Sequence, residues 1–483
     1  MCVAGCIPLL WPNTGHRTGY RLSRSSCHNS PRRSLPLSPI SIKIVLTTKS
    51  SCLGALYLGI DFGTSGCRLA VIDDDGKQLG FYFTLLPTSI HSSGHAEQNP
   101  EDWWQALEYL VTNKLDNALK QRIVAIAVDG TSASLLLADQ YGQALTPCLM
   151  YNNQRAVDAA VLIDNVAPAA CSPVRGPSSA LAKLLYFERQ SIDGAYYALH
   201  QADWISNRLM AQFGHSDSNN CLKLGYDPET KQWPDWLRNL LSNAALLPNV
   251  TSPGSFVGVI DKTIAASWLL PKDTLIVSGT TDSIAASLAA GATQPGDAIT
   301  SLGSTLVVKV VSETPVSSAQ YGVYSHPYGD HWLVGGASNS GGAVLLKYFS
   351  LEQINAMSEH INPEQDTRLD YYPLANVGER FPFADPNKQP KLSPRPEQDS
   401  DFFQAMLEGI AYIEQLAYQR LAELGATPVK HIISVGGGSK NKAWQCLRER
   451  KLNTPLTSAL SNEAAYGSAL LAREGHRKHN DHC

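Results

Sequence analysis

The chain has 483 residues, 43% hydrophobic and 17% charged, with 36 Gly and 28 Pro. That is length for two or three ordinary domains with a large buried core, and too much apolar content for a disordered chain. No stretch reaches the roughly 18 to 20 unbroken apolar residues of a membrane-spanning helix, and a formal net charge of -4 gives no general pull toward nucleic acid or an anionic membrane.

The N-terminus differs from the rest. No Asp or Glu precedes Asp61, while seven basic residues (Arg17, Arg21, Arg24, Arg32, Arg33, Lys43, Lys49) stand among many Ser and Thr. Arg- and Ser-rich, acid-free composition is that of an organelle transit peptide. Frequent Ser and Pro point to the chloroplast stroma rather than the mitochondrion. Residues 1–52 are therefore expected to be a disordered transit peptide. A secretory signal fits less well, because the short apolar run at 7–11 precedes the charges. Without the seven basic residues, 32 Lys and Arg face 43 Asp and Glu, so the remaining chain is acidic. Four of the ten Cys fall in this leader, and the other six are scattered with no metal-binding spacing.

Residues 56–73 read strand, tight turn, strand: two apolar runs around Gly63-Thr64-Ser65-Gly66. Asp74-Asp75-Gly76 is a second turn before a third strand through Phe83. Helical spacing follows over 103–118, then a short buried strand at 123–129. The pattern returns at 298–311, where an apolar strand, Gly303-Ser304-Thr305 and another apolar strand follow one another. A strand at 332–336, a helix over 402–424 and a strand at 432–435 running into Gly436-Gly437-Gly438 complete it. Two similar α/β domains facing each other across a cleft are inferred. Residues 376–401, rich in Pro and charge, read as a surface excursion within the second domain.

Three turns in this pattern suit phosphate oxygens. A strand ending in Asp61, followed by Gly63, Thr64, Ser65 and Gly66, presents backbone N–H groups and hydroxyls together. Asp61 could hold a hydrated Mg²⁺; a plain hairpin with a capping Asp is the other reading. Gly303, Ser304 and Thr305 form the second turn. The third is Gly436-Gly437-Gly438-Ser439, leading to Asn441 and Trp444, where glycines admit a flat ring close to the backbone. Asp282 follows a strand end and opens an Ala-rich helix. It is either a helix N-terminal carboxylate or a general base over the cleft. No Walker A sequence occurs, and Asp61-Phe62-Gly63 lacks the other protein-kinase motifs.

Taken together, these motifs resemble the FGGY carbohydrate kinases, of the actin/hexokinase-like (ribonuclease H-like) superfamily. The matching pieces include Asp61-Phe62-Gly63-Thr64-Ser65, His95-Ala96-Glu97-Gln98-Asn99-Pro100, Val128-Asp129-Gly130-Thr131-Ser132 and Ser301-Leu302-Gly303-Ser304-Thr305. Further on come Gly436-Gly437-Gly438-Ser439-Lys440-Asn441 and Glu463-Ala464-Ala465-Tyr466-Gly467, all in family order.

The resemblance implies an N-terminal sugar-binding domain at 53–290, an ATP-binding domain at 291–475 and a tail at 476–483. It implies that Asp61 binds Mg²⁺ and touches the sugar, and that Thr64, Ser65 and Gly66 lie along the ATP phosphates. Asp282 would deprotonate the sugar hydroxyl, and Gly303, Ser304 and Thr305 would flank the transferred phosphoryl group. Gly437, Gly438, Asn441 and Trp444 would frame the adenosine.

Sugar contacts are expected from Ser132 and from the loop Tyr151-Asn152-Asn153-Gln154-Arg155, with Asn153 and Arg155 as candidates. Bacterial-type xylulose kinases usually carry an acidic residue where Asn153 stands. Asp203-Trp204 is either a further contact or a structural pair. Leu447-Arg448-Glu449-Arg450, where many relatives have Ala-Asp, resembles a branch of cyanobacteria and plant plastids for which D-ribulose is the implied substrate. D-xylulose is the alternative, and a catalytically weak pseudokinase is the alternative of another class. Partners are thus ATP and a small sugar, in a monomer or homodimer.

Overall fold

Apolar runs on either side of a four-residue Gly-Thr-Ser-Gly turn close the first hairpin, β1 (Leu56–Gly63) with β2 (Gly66–Asp73), Gly63 facing Gly66. The computed structural model describes residues 54–87, 95–168 and 172–481, so the leader expected at 1–52 lies outside them. β3 (Gln78–Leu85) pairs with β2 and alternates exposed and half-buried positions, as an edge strand with one wet face does. α1 (Pro100–Tyr109) is started by Asn99, whose side chain accepts from the Glu101 N–H, and by Pro100 in the first turn. The helix expected to continue to 118 instead loosens into a π-turn, Leu110–Lys114, and stops.

β4 (Ile123–Gly130) lies parallel to β1; β5 (Phe256–Val259) and β6 (Leu275–Thr281) follow, β6 parallel to β4 and β5 antiparallel on the outer edge. The sheet order is β5-β6-β4-β1-β2-β3. Between β4 and β5 the chain builds a small four-stranded sheet and a set of helices, including Ala180–Glu188 and Gln201–Met210. α2 (Asp282–Ala290) leaves directly from β6.

The second lobe repeats this plan with β7 (Asp297–Leu302), β8 (Leu306–Ser312), β9 (Tyr324–Tyr328), β10 (His331–Ala337), α3 (Asp399–Glu423), β11 (His431–Val435), α4 (Lys442–Leu452) and β12 (Leu456–Ser458). Its order is β9-β10-β8-β7-β11-β12. In both lobes the first strand is central, antiparallel strands follow on one side (two in the first lobe, three in the second), and two later strands run parallel on the other. The inferred pair of related α/β domains is what the chain builds. Phe62, Trp103 and Trp204 pack one core, and Phe402, Met406 and Ile410 of α3 pack the other.

The chain then returns. α5 (Ala464–Asp481) lies across β1, β4 and β6 of the first lobe. Gly59 has to be glycine, since a Cβ there would stand 1.9 Å from the Ala465 carbonyl oxygen. Gly467 meets the Ala285 carbonyl as closely. The tail expected from 476 is therefore corrected: it is the end of this helix through Asp481, with His476 edge-on to Tyr57 and His479 stacked 4.4 Å from Phe256. Among the described residues no helix is long and apolar enough to cross a membrane.

Candidate active site

Three carboxylates stand at the C-terminal ends of three adjacent parallel strands. Asp61 on β1 is in register with Asp129 on β4, and Asp129 with Thr280 on β6, two residues before Asp282. Crevices beyond strand C-termini are where α/β sheets hold ligands. β6 reaches this position through a bulge at Gly279, where any side chain would run into the Val128 carbonyl.

Asp61 is buried and pairs with Arg68 at 2.9 Å. Asp129 lies beside it on the neighbouring strand. Burial pushes the Asp61 carboxyl up, against the opposing pull of Arg68. Asp129 is driven up further, first by complete burial and then by the Asp61 charge. Asp129 Oδ2 accepts a 2.5 Å hydrogen bond from Ser468 of α5, while Oδ1 is buried with no partner among the described residues. Two carboxyls held this close are relieved by a shared proton or by a cation. The donor set thus suits a hydrated Mg²⁺ that takes one or two carboxylates and keeps its waters. No group of three His, Cys, Asp or Glu among the described residues is placed to hold a metal unaided.

Asp282 is the first residue of α2. Its Oδ1 accepts from the Ser283 N–H at 2.6 Å, and Oδ2 has no partner among the described residues. Burial and the Asp61 charge raise it to about 6, against the Ser283 N–H, Lys223 and Lys309. A carboxylate so poised is ionised at neutral pH and more basic than an ordinary one, as proton abstraction requires.

The hydroxyls of Thr64 and Ser65 have no hydrogen-bond partner among the described residues, and the turn is braced by Gln98 Nε2 on the Thr64 carbonyl at 2.8 Å. Gly66 is pressed against Phe83 and Thr84 of β3, so its lack of a side chain serves that packing. In the second lobe, Gly303, Ser304 and Thr305 join β7 to β8. The sequence reading missed their support: Gly341 sits at φ 138°, against the Ser304 and Thr305 backbone, and the Gly342 N–H donates to the Gly303 carbonyl at 2.8 Å. Gly436, at φ 86°, lies on the Leu302 backbone, so the triple-glycine bend and the 303–305 turn are neighbours.

Two adenosine candidates have other work. Asn441 caps α4, accepting from the Trp444 N–H at 3.0 Å, while its Nδ2 donates to Ser358 at 2.7 Å. Trp444 is buried in the α3 core, its ring pressed on Gly438. The triple-glycine bend is thus backed by this indole, with Gly438 pressed against it.

The sugar loops show the same division. Ser132 Oγ and Asn152 Oδ1 are buried without partners among the described residues. So are Ser218 Oγ, Asn220 Oδ1 and Thr281 Oγ1 near the same strand ends. Such atoms mark places that water or a hydroxylated ligand completes. Asn153, in contrast, is wholly enclosed: its Nδ2 donates to the Ala96 carbonyl and its Oδ1 accepts from the Arg155 N–H and Nε. Arg155 is ion-paired with Glu97 and lies over Tyr186. Both residues shape the loop from inside. Asp203 and Trp204 form a structural pair, Asp203 holding His200 and Ser216 and Trp204 donating to the Gly142 carbonyl.

Lys183, also missed, reaches the Ala133 and Met150 carbonyls at 2.6 and 2.8 Å and pins the two loops expected to meet the sugar. Burial lowers it to about 7. Ala133, at φ 64°, is the strained residue this lysine steadies.

Known proteins share this layout. Residues 56–289 match the N-terminal domain of the FGGY family of carbohydrate kinases, and residues 298–473 match its C-terminal domain. A xylulose kinase of Bacillus subtilis is 26% identical over 447 residues, covering 86% of this chain and 88% of that protein. One from Escherichia coli is 22% identical over 408 residues, covering 81% and 83%. A solved "xyloylose kinase" from Brucella ovis superposes with a TM-score of 0.79 at 23% identity, covering 88% of this chain and 91% of that one. With both of its domains matched along nearly the whole described length, the chain belongs to the FGGY family of carbohydrate kinases.

Proposed function

We propose that this chain transfers the γ-phosphoryl group of ATP to the terminal hydroxyl of a ketopentose, D-ribulose or D-xylulose. The observation that carries the chemistry is Asp282, held at about 6 beside Asp61 with one carboxylate oxygen free among the described residues. Asp282 takes the proton of the sugar hydroxyl as its oxygen attacks phosphorus. The bond from phosphorus to the ADP oxygen breaks, leaving a ketopentose 5-phosphate and ADP. Backbone N–H groups at 303–305 and the Thr64 and Ser65 hydroxyls offer hydrogen bonds to phosphate oxygens, which is most of what such a transfer asks of a protein. Mg²⁺, when bound at Asp61 and Asp129, supplies neutralising charge beside those oxygens.

The two sugars differ only in configuration at C3. Relatives named for xylulose support D-xylulose. D-ribulose rests on Leu447-Arg448-Glu449-Arg450 and on the acid-free leader. Arg448 and Asn153 are buried, so neither offers a group to a C3 hydroxyl. That leader also motivates plastid residence as part of the proposal, tested by whether residues 1–52 carry a fluorescent fusion into chloroplasts.

The decisive assay offers the leaderless protein ATP with D-ribulose, D-xylulose, hexuloses, gluconate and glycerol, with sugar-free hydrolysis as background. A ketopentose should lead by at least about tenfold in kcat/KM, since a site built to hydrogen-bond particular hydroxyls rejects molecules that leave them unpaired. Gluconate or glycerol in first place overturns the reading.

A further inference from the structure

Lys309 interrupts an otherwise apolar strand, Leu306-Val307-Val308-Lys309-Val310-Val311. It lies four residues past Thr305 on β8, on the sheet face turned toward α2 of the other lobe. Its Nζ donates to the Ser283 carbonyl at 2.7 Å and to Ser287 Oγ at 3.1 Å. Ser287 Oγ donates in turn to the same Ser283 carbonyl at 2.8 Å. Among the described residues, the bond to the Ser283 carbonyl is the only second-lobe hydrogen bond to the first turn of α2.

The neighbouring strand is adapted to this side chain. Gly335 of β10 is in register with Lys309, and a Cβ at Gly335 would stand 2.9 Å from Lys309 Cγ and 2.8 Å from the Val308 carbonyl. A glycine in a strand interior costs stability; here it leaves the lysine stem a path out of the sheet. The ammonium also carries a desolvation cost, which brings Lys309 down to about 8 against the favourable charge of Asp282. A lysine at such cost, in a strand of valines, is poorly explained by packing alone.

We propose that Lys309 is a positioning residue for phosphoryl transfer, a strut that fixes the Asp282 helix of one lobe at a set spacing from the Gly303-Ser304-Thr305 turn of the other. The path is short and stiff. It runs from the phosphate turn along about 13 Å of strand, through the lysine, into the helix turn that begins with Asp282. Base and phosphate turn then approach the sugar as one unit. Displacing a reacting group by about 1 Å costs roughly 10²-fold in rate, so a strut of this kind acts on turnover more than on binding. The inference rests on the sugar-kinase reading.

Lys309→Met keeps the stem and removes the ammonium. It should lower kcat by roughly 10- to 100-fold while KM for ATP and sugar stays within about twofold, with Lys309→Arg recovering most of the loss. The charges facing Asp282 are Asp61, Asp129, Lys223 and Lys309. Losing Lys309 therefore also moves the acid limb of the rate profile to higher pH in the Met variant and not in the Arg variant. Hydrogen exchange read on the amides of 283–288 should be faster in Lys309→Met. If that variant keeps kcat within about twofold of wild type, the strut is refuted and the sugar-kinase reading stands. If wild type phosphorylates no sugar of the panel, that reading falls, and exchange decides the strut: unchanged protection of the first turn of α2 overturns it, and faster exchange supports it.

Discussion

Asp282→Asn should lower kcat by roughly 10²-fold or more with ATP affinity nearly unchanged, because the amide keeps the shape of the carboxylate but cannot accept the hydroxyl proton. The loss should come without loss of folding. The carboxyl of Asp282 is raised to about 6 by burial and by Asp61. Its folded-state affinity for a proton therefore exceeds that of the unfolded chain, and above pH 6 the ionised group works against the fold. Removing that charge should leave the melting temperature equal or higher. In wild type the same group sets the acid limb: kcat/KM should rise as pH climbs through about 6 and level off above it. Turnover of the Asn variant within a few-fold of wild type removes Asp282 from the base role. An acid limb that persists unchanged in that variant assigns the titration to another group.

What could be read in the amino-acid string follows from how local its causes are. The hairpins at 56–73 and 298–311 were legible because apolar runs, glycines and hydroxyl residues in a turn act within a few positions of one another. The positions of Asp61 and Asp282 at strand ends were legible for the same reason, while their roles came from the family resemblance alone. The helix placed at 103–118 went astray at both ends. Asn99 and Pro100 carry a local starting signal that was there to be used, whereas the π-turn at Leu110–Lys114 is imposed by packing. Trp444 was expected to help frame the adenosine, and only the fold shows that it is buried against α3. The charged stretch 476–481 looked like a tail because its anchors, Tyr57, Asp74 and Phe256, are at least 200 residues away. Lys309 left one trace, a charge in an apolar strand, but its target in α2 belongs to the other lobe.

Arg448, part of the stretch that suggested D-ribulose, leads to the second large effect. It is 1% exposed and holds the wholly buried Glu414 through two 2.7 Å hydrogen bonds. Its remaining nitrogen donates to Ser434 Oγ at 2.8 Å, and Glu414 Oε1 also accepts from Thr300 Oγ1. This one cluster joins β7, α3, β11 and α4. Thr300 stands three residues before Gly303, and Ser434 two before Gly436, so the ion pair underlies both of the turns proposed to hold the nucleotide. Removing one partner strands a charge where water cannot reach it, which typically costs about 3 to 5 kcal/mol, whereas replacing both by apolar or neutral groups is often close to neutral. Arg448→Met alone should therefore lower the melting temperature by roughly 4 to 6 °C and raise KM for ATP severalfold. Combining it with Glu414→Gln should restore most of the stability, giving a coupling of at least about 2 kcal/mol in a double-mutant cycle. A single variant that melts within about 2 °C of wild type shows that the pair is not isolated from water. Additive losses in the double variant show that packing, rather than the stranded Glu414 charge, was what Arg448 supplied.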